Sequence, residues 1–182
     1  MTKIKNQTSF TVTRELDINV SPDKLWHIIG HSFADAYIWA SSVDHSTGGG
    51  TPEFEGAKCS ERFCDVNAKG FNKISEKLTK YSNEHMNLAY VVSEGMPSFV
   101  SLAQNDWTVL PIGVHQAKLV MKADFGLQGI MGRFMKPMMK SKIEKLLDVV
   151  LNDARVFAET GSISDTKRKR NEELAKQNLV AA

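Results

Sequence analysis

The sequence has few cysteines, little net charge and no long apolar run. Its 182 residues include two cysteines, Cys59 and Cys64. If both lie on one strand, their odd spacing puts them on opposite faces about 16 Å apart, which excludes a disulfide between them. Free thiols are typical of the reducing cytoplasm, and the first residues, "MTKIKNQTSF", lack the apolar segment of a secretory signal. We therefore expect a cytoplasmic protein.

The positive and negative charges of the sequence nearly balance. A formal net charge of +2, from 23 basic and 21 acidic residues, gives no electrostatic reason to expect binding to nucleic acid or to acidic membrane surfaces. No stretch approaches the length of a transmembrane helix, so we expect no stable membrane insertion. A hydrophobic content of 42% is enough for a real core. The sequence indicates no oligomeric state.

Two short patterns resemble known ligand sites but lack the residues that would complete them. His27 and His31 have the spacing of a zinc-binding pair, yet no glutamate follows His27 and no third ligand is evident. The glycines at 48–50 resemble a phosphate-binding loop, but no Gly-Lys-Ser/Thr follows them. We therefore expect neither a metal site nor a cofactor.

Apolar periodicity predicts a strand, two short helices and then a series of strands. Residues 9–20 alternate as a half-buried strand, and Ser21 and Pro22 are typical of the start of a short helix. A second short helix is predicted over 31–37, and residues 45–56 are predicted to form a loop. The remaining strands are predicted over 57–66, 71–81, 85–94, 98–110 and 114–125.

The last third of the chain changes to helical periodicity. A helix is predicted over 127–161, with Pro137 kinking or dividing it and Gly161 ending it. The methionines between 131 and 139 either pack against the sheet or form an adaptable lining for apolar ligands. We assign residues 1–161 to a single domain. Residues 162–182 are predicted to be a charged tail, flexible or loosely helical, in which Lys167 to Arg170 are solvated.

This order of elements predicts an α+β fold. Closely spaced strands without helices between them indicate an antiparallel sheet of about six or seven strands. The sheet would curve around the long C-terminal helix, with the two short helices following the first strand. Such curvature leaves space that side chains do not fill, which favours an internal apolar cavity.

Several segments resemble the SRPBCC superfamily, also called START-like or helix-grip, and its polyketide cyclase/dehydrase-like branch. They are "INVSPDKLWHIIG" (18–30), "IWASSV" (38–43), "ISEKLTKYSNEHMNLAYVVSEGMP" (74–97), "NDWTVLPIG" (105–113) and the helix end "FAETG". The resemblance covers residues 10–161. It implies the helix-grip fold, whereas the activity stays open because the superfamily includes lipid carriers, receptors, cyclases and aromatases.

Strand alternation assigns an apolar inner face to the sheet. Tyr90, Trp107 and Met121 lie on that face, and Phe134 and Met138 are predicted to complete the cavity from the helix. For Trp107 the alternative is an ordinary packed core. The lead hypothesis is therefore a cavity that binds a small hydrophobic molecule, either a lipid or, as the resemblance implies, a polyketide-like compound.

Four polar residues interrupt this apolar face: Arg14, Glu76, Asn105 and His115. A buried carboxylate needs a partner, so Glu76 is predicted to pair with Arg14 or Asn105, or to bind a polar group of the ligand. The resemblance implies an alternative function, a cyclase, dehydratase or aromatase in which Glu76 or His115 transfers protons. Two alternatives remain. Glu76 can form a purely structural ion pair. The protein can also be an interaction module whose cavity is filled by its own side chains.

Overall fold

In a computed structural model, which describes residues 7–68 and 71–181, the elements follow the predicted order. β1 (Gln7–Ile18) is followed by α1 (Pro22–Trp26), a π-helical turn (His27–His31) and a 3-10 helix (Phe33–Ile38). Six more strands follow: β2 (Val43–Gly49), β3 (Glu61–Ala68), β4 (Phe71–Ser82), β5 (Asn87–Glu94), β6 (Val100–Gly113) and β7 (Gln116–Gln128). The chain ends in α2 (Gly129–Thr160) and α3 (Asp165–Ala181).

The strands form one curved antiparallel sheet, which confirms the predicted α+β helix-grip architecture. Its seven strands have the order β1-β7-β6-β5-β4-β3-β2, so the first strand returns to pair with the last. α2 packs mainly on β1 and β7, at one side of the concave face. α2 therefore packs less closely on the other side of that face, over β3 to β6.

The short helices after β1 carry large apolar side chains into the space beside α2. Ser21 caps α1 by accepting a hydrogen bond from the backbone N–H of Lys24, as expected for a serine at this position. Leu25 and Trp26 are buried, and Phe33 and Trp39 follow them into the core. The segment thus forms a second wall facing the sheet.

The predicted loop at 45–56 is partly wrong, because its first five residues belong to β2. Glycine is unfavourable in strands, which is why the sequence pattern predicts a loop here. At Gly49 a Cβ atom would lie 2.5 Å from the ring of Phe63 on the paired strand β3. Glycine in this strand therefore makes room for a neighbouring aromatic side chain.

α2 is a single helix through Pro137, so of the two predicted effects of this proline, a kink or a division, the division is wrong. Proline removes one intrahelical hydrogen bond, but the ladder continues on both sides of it. Gly161 ends the helix in the left-handed conformation, as predicted. No helix in the described ranges is long and apolar enough to cross a membrane.

The predicted solvation of Lys167 to Arg170 is wrong for two of these residues. Residues 165–181 form α3, and Lys167 is buried with its ammonium group donating to the carbonyl of Val43 at 2.8 Å. Arg170 makes a two-point ion pair with Asp44. Composition alone suggested a free tail because both partners lie more than 120 residues earlier in the chain.

Candidate functional site

A large cavity lies between the concave face of the sheet, α2 and the short helices. Its volume of about 640 Å³ falls within the range of about 300–1,000 Å³ that is usual for small-molecule sites. Most of its lining is apolar. Representative wall residues from each side are Phe33 and Trp39, Leu88 and Met121, and Met135 and Met139.

A row of polar side chains crosses this apolar wall on four neighbouring strands. Arg62 on β3 lies directly opposite Glu76 on β4, and Tyr90 on β5 lies opposite Asn105 on β6. Glu76 pairs with Val92, two residues from Tyr90, so the row continues diagonally from β4 to β5. Since all four side chains border the cavity, its polar groups are concentrated in one band.

A buried ion pair forms the centre of the band. Arg62 Nε donates to Glu76 Oε2 at 2.6 Å, and Arg62 Nη1 donates to the backbone carbonyl of Phe33 at 2.6 Å. The guanidinium group also lies 4.1 Å from the centroid of the Phe33 ring, a favourable cation–π distance. Burial opposes the charge on Arg62, but the carboxylate of Glu76 outweighs it and raises the arginine pKa. The pair is therefore fixed in position.

Two polar groups of the band keep bonding capacity for a ligand. Glu76 Oε1 and the side-chain amide of Asn105 make no hydrogen bond to another residue in the described part of the chain, and both residues line the cavity. Burial, reinforced by the charge of Glu76, raises the pKa of Tyr90, so its phenol stays protonated at neutral pH. The band thus offers both acceptors and donors.

Two tryptophans form part of the wall beside this band. The rings of Trp39 and Trp107 meet edge to face with their centroids 6.4 Å apart. Within residues 7–68 and 71–181, neither indole N–H makes a hydrogen bond of good geometry, although that of Trp107 lies near the Tyr90 hydroxyl. Both ring nitrogens are also shielded from the cavity, so the two tryptophans contribute apolar ring surface to its wall.

The cavity opens along α2. Met138, Lys142 and Leu146 line the cavity and are also exposed to solvent. Across from them, Met96 and Pro97 in the loop between β5 and β6 are half-buried. The opening is therefore bordered by long methionine and lysine side chains on the helix.

Six of the predicted site residues border this cavity: Glu76, Tyr90, Asn105, Trp107, Met121 and Met138. The other three predicted placements are wrong. Arg14 is covered by α2, where it pairs with Asp148 at 2.9 Å and does not line the cavity. Phe134 points away from the sheet and is exposed, and His115 is exposed at the turn between β6 and β7.

Sequence reasoning missed Arg62, and so named the wrong partner for Glu76. The alternation along β3 could have identified it, because Arg62 shares a face with Cys64 and with Ser60 just before the strand. All three are buried. A charged residue that shares a face with buried small residues is the expected partner for a buried carboxylate on the next strand.

The fold agrees with what the chain is similar to. The sequence profile of a family described as "Polyketide cyclase / dehydrase and lipid transport" matches residues 9–154. No curated protein matches the sequence.

Solved structures with the same fold share little sequence with it. The Zhui aromatase/cyclase from a Streptomyces species aligns with a TM-score of 0.67 and 13% identity, over 84% of this chain and 94% of that one. Norcoclaurine synthase from Thalictrum flavum, in complex with dopamine and hydroxybenzaldehyde, gives 0.64 and 14% over 86% and 90%. A START superfamily protein from Mycobacterium smegmatis gives 0.61 and 13% over 79% and 96%.

Proposed function

The chain belongs to the polyketide cyclase / dehydrase and lipid transport family, and we propose that it binds a small hydrophobic molecule, lipid or polyketide-like, in the cavity between sheet and α2. The observation that carries this proposal is the open apolar cavity of about 640 Å³ with one polar band. Burial of apolar ligand surface supplies the affinity, and the band selects and orients the ligand. The two buried free thiols, Cys59 and Cys64, support a cytoplasmic location.

The chemistry of the band favours a ligand with neutral oxygen groups. The charge of Arg62 is balanced by Glu76 at 2.6 Å, so the band has little net charge to attract a free carboxylate. Glu76 Oε1 accepts a hydrogen bond from a ligand hydroxyl, and Asn105 donates one to a carbonyl. A keto or hydroxyl compound with an apolar body fits these groups better than a fatty acid.

Native mass spectrometry on the full chain, mixed with lipids and aromatic keto or hydroxyl compounds, tests the proposal. We expect a retained ligand, and we expect Ala103→Phe, which fills the cavity from β6, to release it. Ala175→Leu on the exposed side of α3 is the matched control and should retain the ligand. Retention of nothing, or equal retention by Ala103→Phe, would contradict the proposal.

A second candidate function is proton transfer in a cyclase, dehydratase or aromatase reaction. It is favoured by the carboxylate of Glu76, which has one oxygen free beside the protonated phenol of Tyr90 in an apolar cavity. The cavity would hold a reactive chain folded while Glu76 removes or returns a proton. His115 takes no part in this proposal, because it lies outside the cavity.

The isosteric change Glu76→Gln separates the two functions. For a binding protein, ligand retention persists because glutamine keeps the shape, with its oxygen still accepting from Arg62 and its amide N–H donating to a ligand oxygen. Because the variant leaves the buried charge of Arg62 unbalanced, thermal unfolding first checks that it is folded at the assay temperature. For an enzyme, turnover of the retained compound falls by about 10²–10⁴-fold, the usual contribution of a general acid or base, while retention persists. Product analysis by mass spectrometry distinguishes these outcomes, and turnover unchanged in the variant removes Glu76 from the mechanism.

A further inference from the structure

The first three turns of α2 carry an exposed apolar face. Ile130, Met131 and Phe134 are 80%, 59% and 79% exposed, and Met138 follows one turn later at 43%. At about 100° per residue, these four side chains fall within a third of the helix circumference. We call them the α2 docking face. The buried side of the same turns, at Gly132, packs against Leu127 and Phe99, so the apolar face is additional to the one that the core uses.

Basic residues flank the α2 docking face on both sides. They are Arg133, Lys136, Lys140, Lys142 and Lys145. Residues 129–145 hold these five basic residues against one acidic residue, a net charge of +4, whereas the whole chain carries only +2. The acidic residue, Glu144, approaches Arg14 within 4.0 Å. Four of the five basic residues are exposed and, among the described residues, make no ion pair.

We propose that the α2 docking face binds the surface of a membrane that contains anionic lipids. Exposed apolar side chains enter the boundary between headgroups and acyl chains, while flanking basic side chains contact lipid phosphates. A second copy of this chain is the less favoured occupant, because two such faces would bring two segments of +4 charge together. The small overall charge concealed this site, because the basic residues are concentrated in one segment.

The α2 docking face lies next to the opening of the cavity. Met138 belongs to the face and lines the cavity, and Lys142 lies beside the opening. Docking would therefore place the opening against the lipid headgroups, where a hydrophobic ligand can pass without crossing water. This inference goes beyond ligand binding, and vesicle binding does not require a ligand in the cavity, so the two proposals fail independently.

Flotation of the full chain with vesicles tests the inference. We expect vesicles of phosphatidylcholine with phosphatidylglycerol to bind the protein about tenfold or more strongly than phosphatidylcholine alone, and added salt to weaken the binding. Ile130→Ser with Phe134→Ser should reduce binding by about tenfold or more. Val114→Ser, an equally exposed residue at the turn between β6 and β7, is the matched control and should bind normally.

A charge-reversed pair isolates the electrostatic part. Lys140→Glu with Lys145→Glu should abolish the preference for anionic vesicles, whereas Lys169→Glu with Lys176→Glu on α3 changes the net charge equally and should preserve it. Vesicle binding that neither α2 pair reduces would overturn the inference. So would absence of binding together with self-association that Phe134→Ser abolishes, because the occupant would then be a second copy.

Discussion

Arg62 and Glu76 form an ion pair with a 2.6 Å contact in the wall of the cavity, although both side chains are less than a tenth exposed. Their strands are neighbours, and the two residues lie directly opposite in the register. Water is largely excluded on the sheet side, whereas the cavity borders the other side. The pair therefore joins β3 to β4 and holds the Glu76 carboxylate in a fixed position at the cavity wall.

Arg62→Met should destabilise the protein strongly. It leaves the Glu76 carboxylate buried without a partner, for which the expected loss in the free energy of unfolding is about 3–5 kcal/mol. The double variant Arg62→Met with Glu76→Leu should recover much of this loss, because no unpaired charge remains. Urea unfolding measures both values, and an equal loss in the single and double variants would show that the charge is not the cause.

The two thiols should be unreactive in the folded protein. Burial raises the pKa of Cys59, and burial raises the pKa of Cys64 to about 12. The reactive species is the thiolate, which is nearly absent from such groups at pH 8. We expect iodoacetamide to label neither residue at pH 8 until urea unfolds the chain. Fast labelling of Cys64 in the native protein would mean that the cavity wall beside Glu76 opens to solvent.

His31 should make stability depend on pH in mildly acidic solution. Burial, together with the nearby positive groups of His27 and Lys58, lowers its pKa below the usual value near 6.5. The unfolded chain then binds this proton more readily than the folded chain. The free energy of unfolding should thus fall as the pH drops from about 6.5 through the folded pKa.

The His31 effect is checked by urea unfolding at pH 7.5 and at successively lower pH values. His31→Gln should show a smaller loss on acidification, whereas His85→Gln, on an exposed turn, should behave like the unchanged protein. His31 accepts or donates a hydrogen bond with the Tyr81 hydroxyl at 3.2 Å. An identical pH profile in His31→Gln would exclude this histidine as the source.

Asp153 should be essential for the attachment of α3. Its fully buried carboxylate accepts hydrogen bonds from the backbone N–H of Ser41 at 2.8 Å and from the hydroxyl of Ser164. Asp153→Ala leaves these donors unpaired, at about 1–3 kcal/mol for each. Glu172→Ala, on the exposed side of α3, should change stability by about 0.5 kcal/mol or less. Equal thermal unfolding of the two variants would contradict the assignment.

The sequence predicted the fold well because its evidence is local. The alternation in β4 and β6 predicted that Glu76, Asn105 and Trp107 face the cavity, and the structure places them there. This prediction was possible because a period of two residues follows directly from strand geometry. The end of α2 at Gly161 was also predicted correctly, because glycine is the usual residue at a left-handed helix end. The sequence did not predict β2, because glycine is unusual in strands. At Gly49 glycine is required by the ring of Phe63, which lies on another strand and is not evident from the local pattern.

The site was harder to predict because its contacts join distant segments. Arg62 is the partner of Glu76 only through the register of β3 with β4, which periodicity does not reveal. α2 is apolar on two sides in its first turns, so the sequence assigned Phe134 to the cavity, whereas Met135 and Met139 line it. The second apolar side is the α2 docking face.

The most direct test of the cavity uses the indole N–H signals of the three tryptophans in a nuclear magnetic resonance titration. Trp39 and Trp107 border the cavity, whereas Trp26 lies outside it and donates to Asn83 at 2.9 Å, which makes it an internal control. Titration with aromatic keto and hydroxyl compounds and with lipids should shift the signals of Trp39 and Trp107 and leave that of Trp26 in place. Signals of Trp39 and Trp107 that stay fixed with every compound at saturating concentration would contradict a ligand-binding cavity.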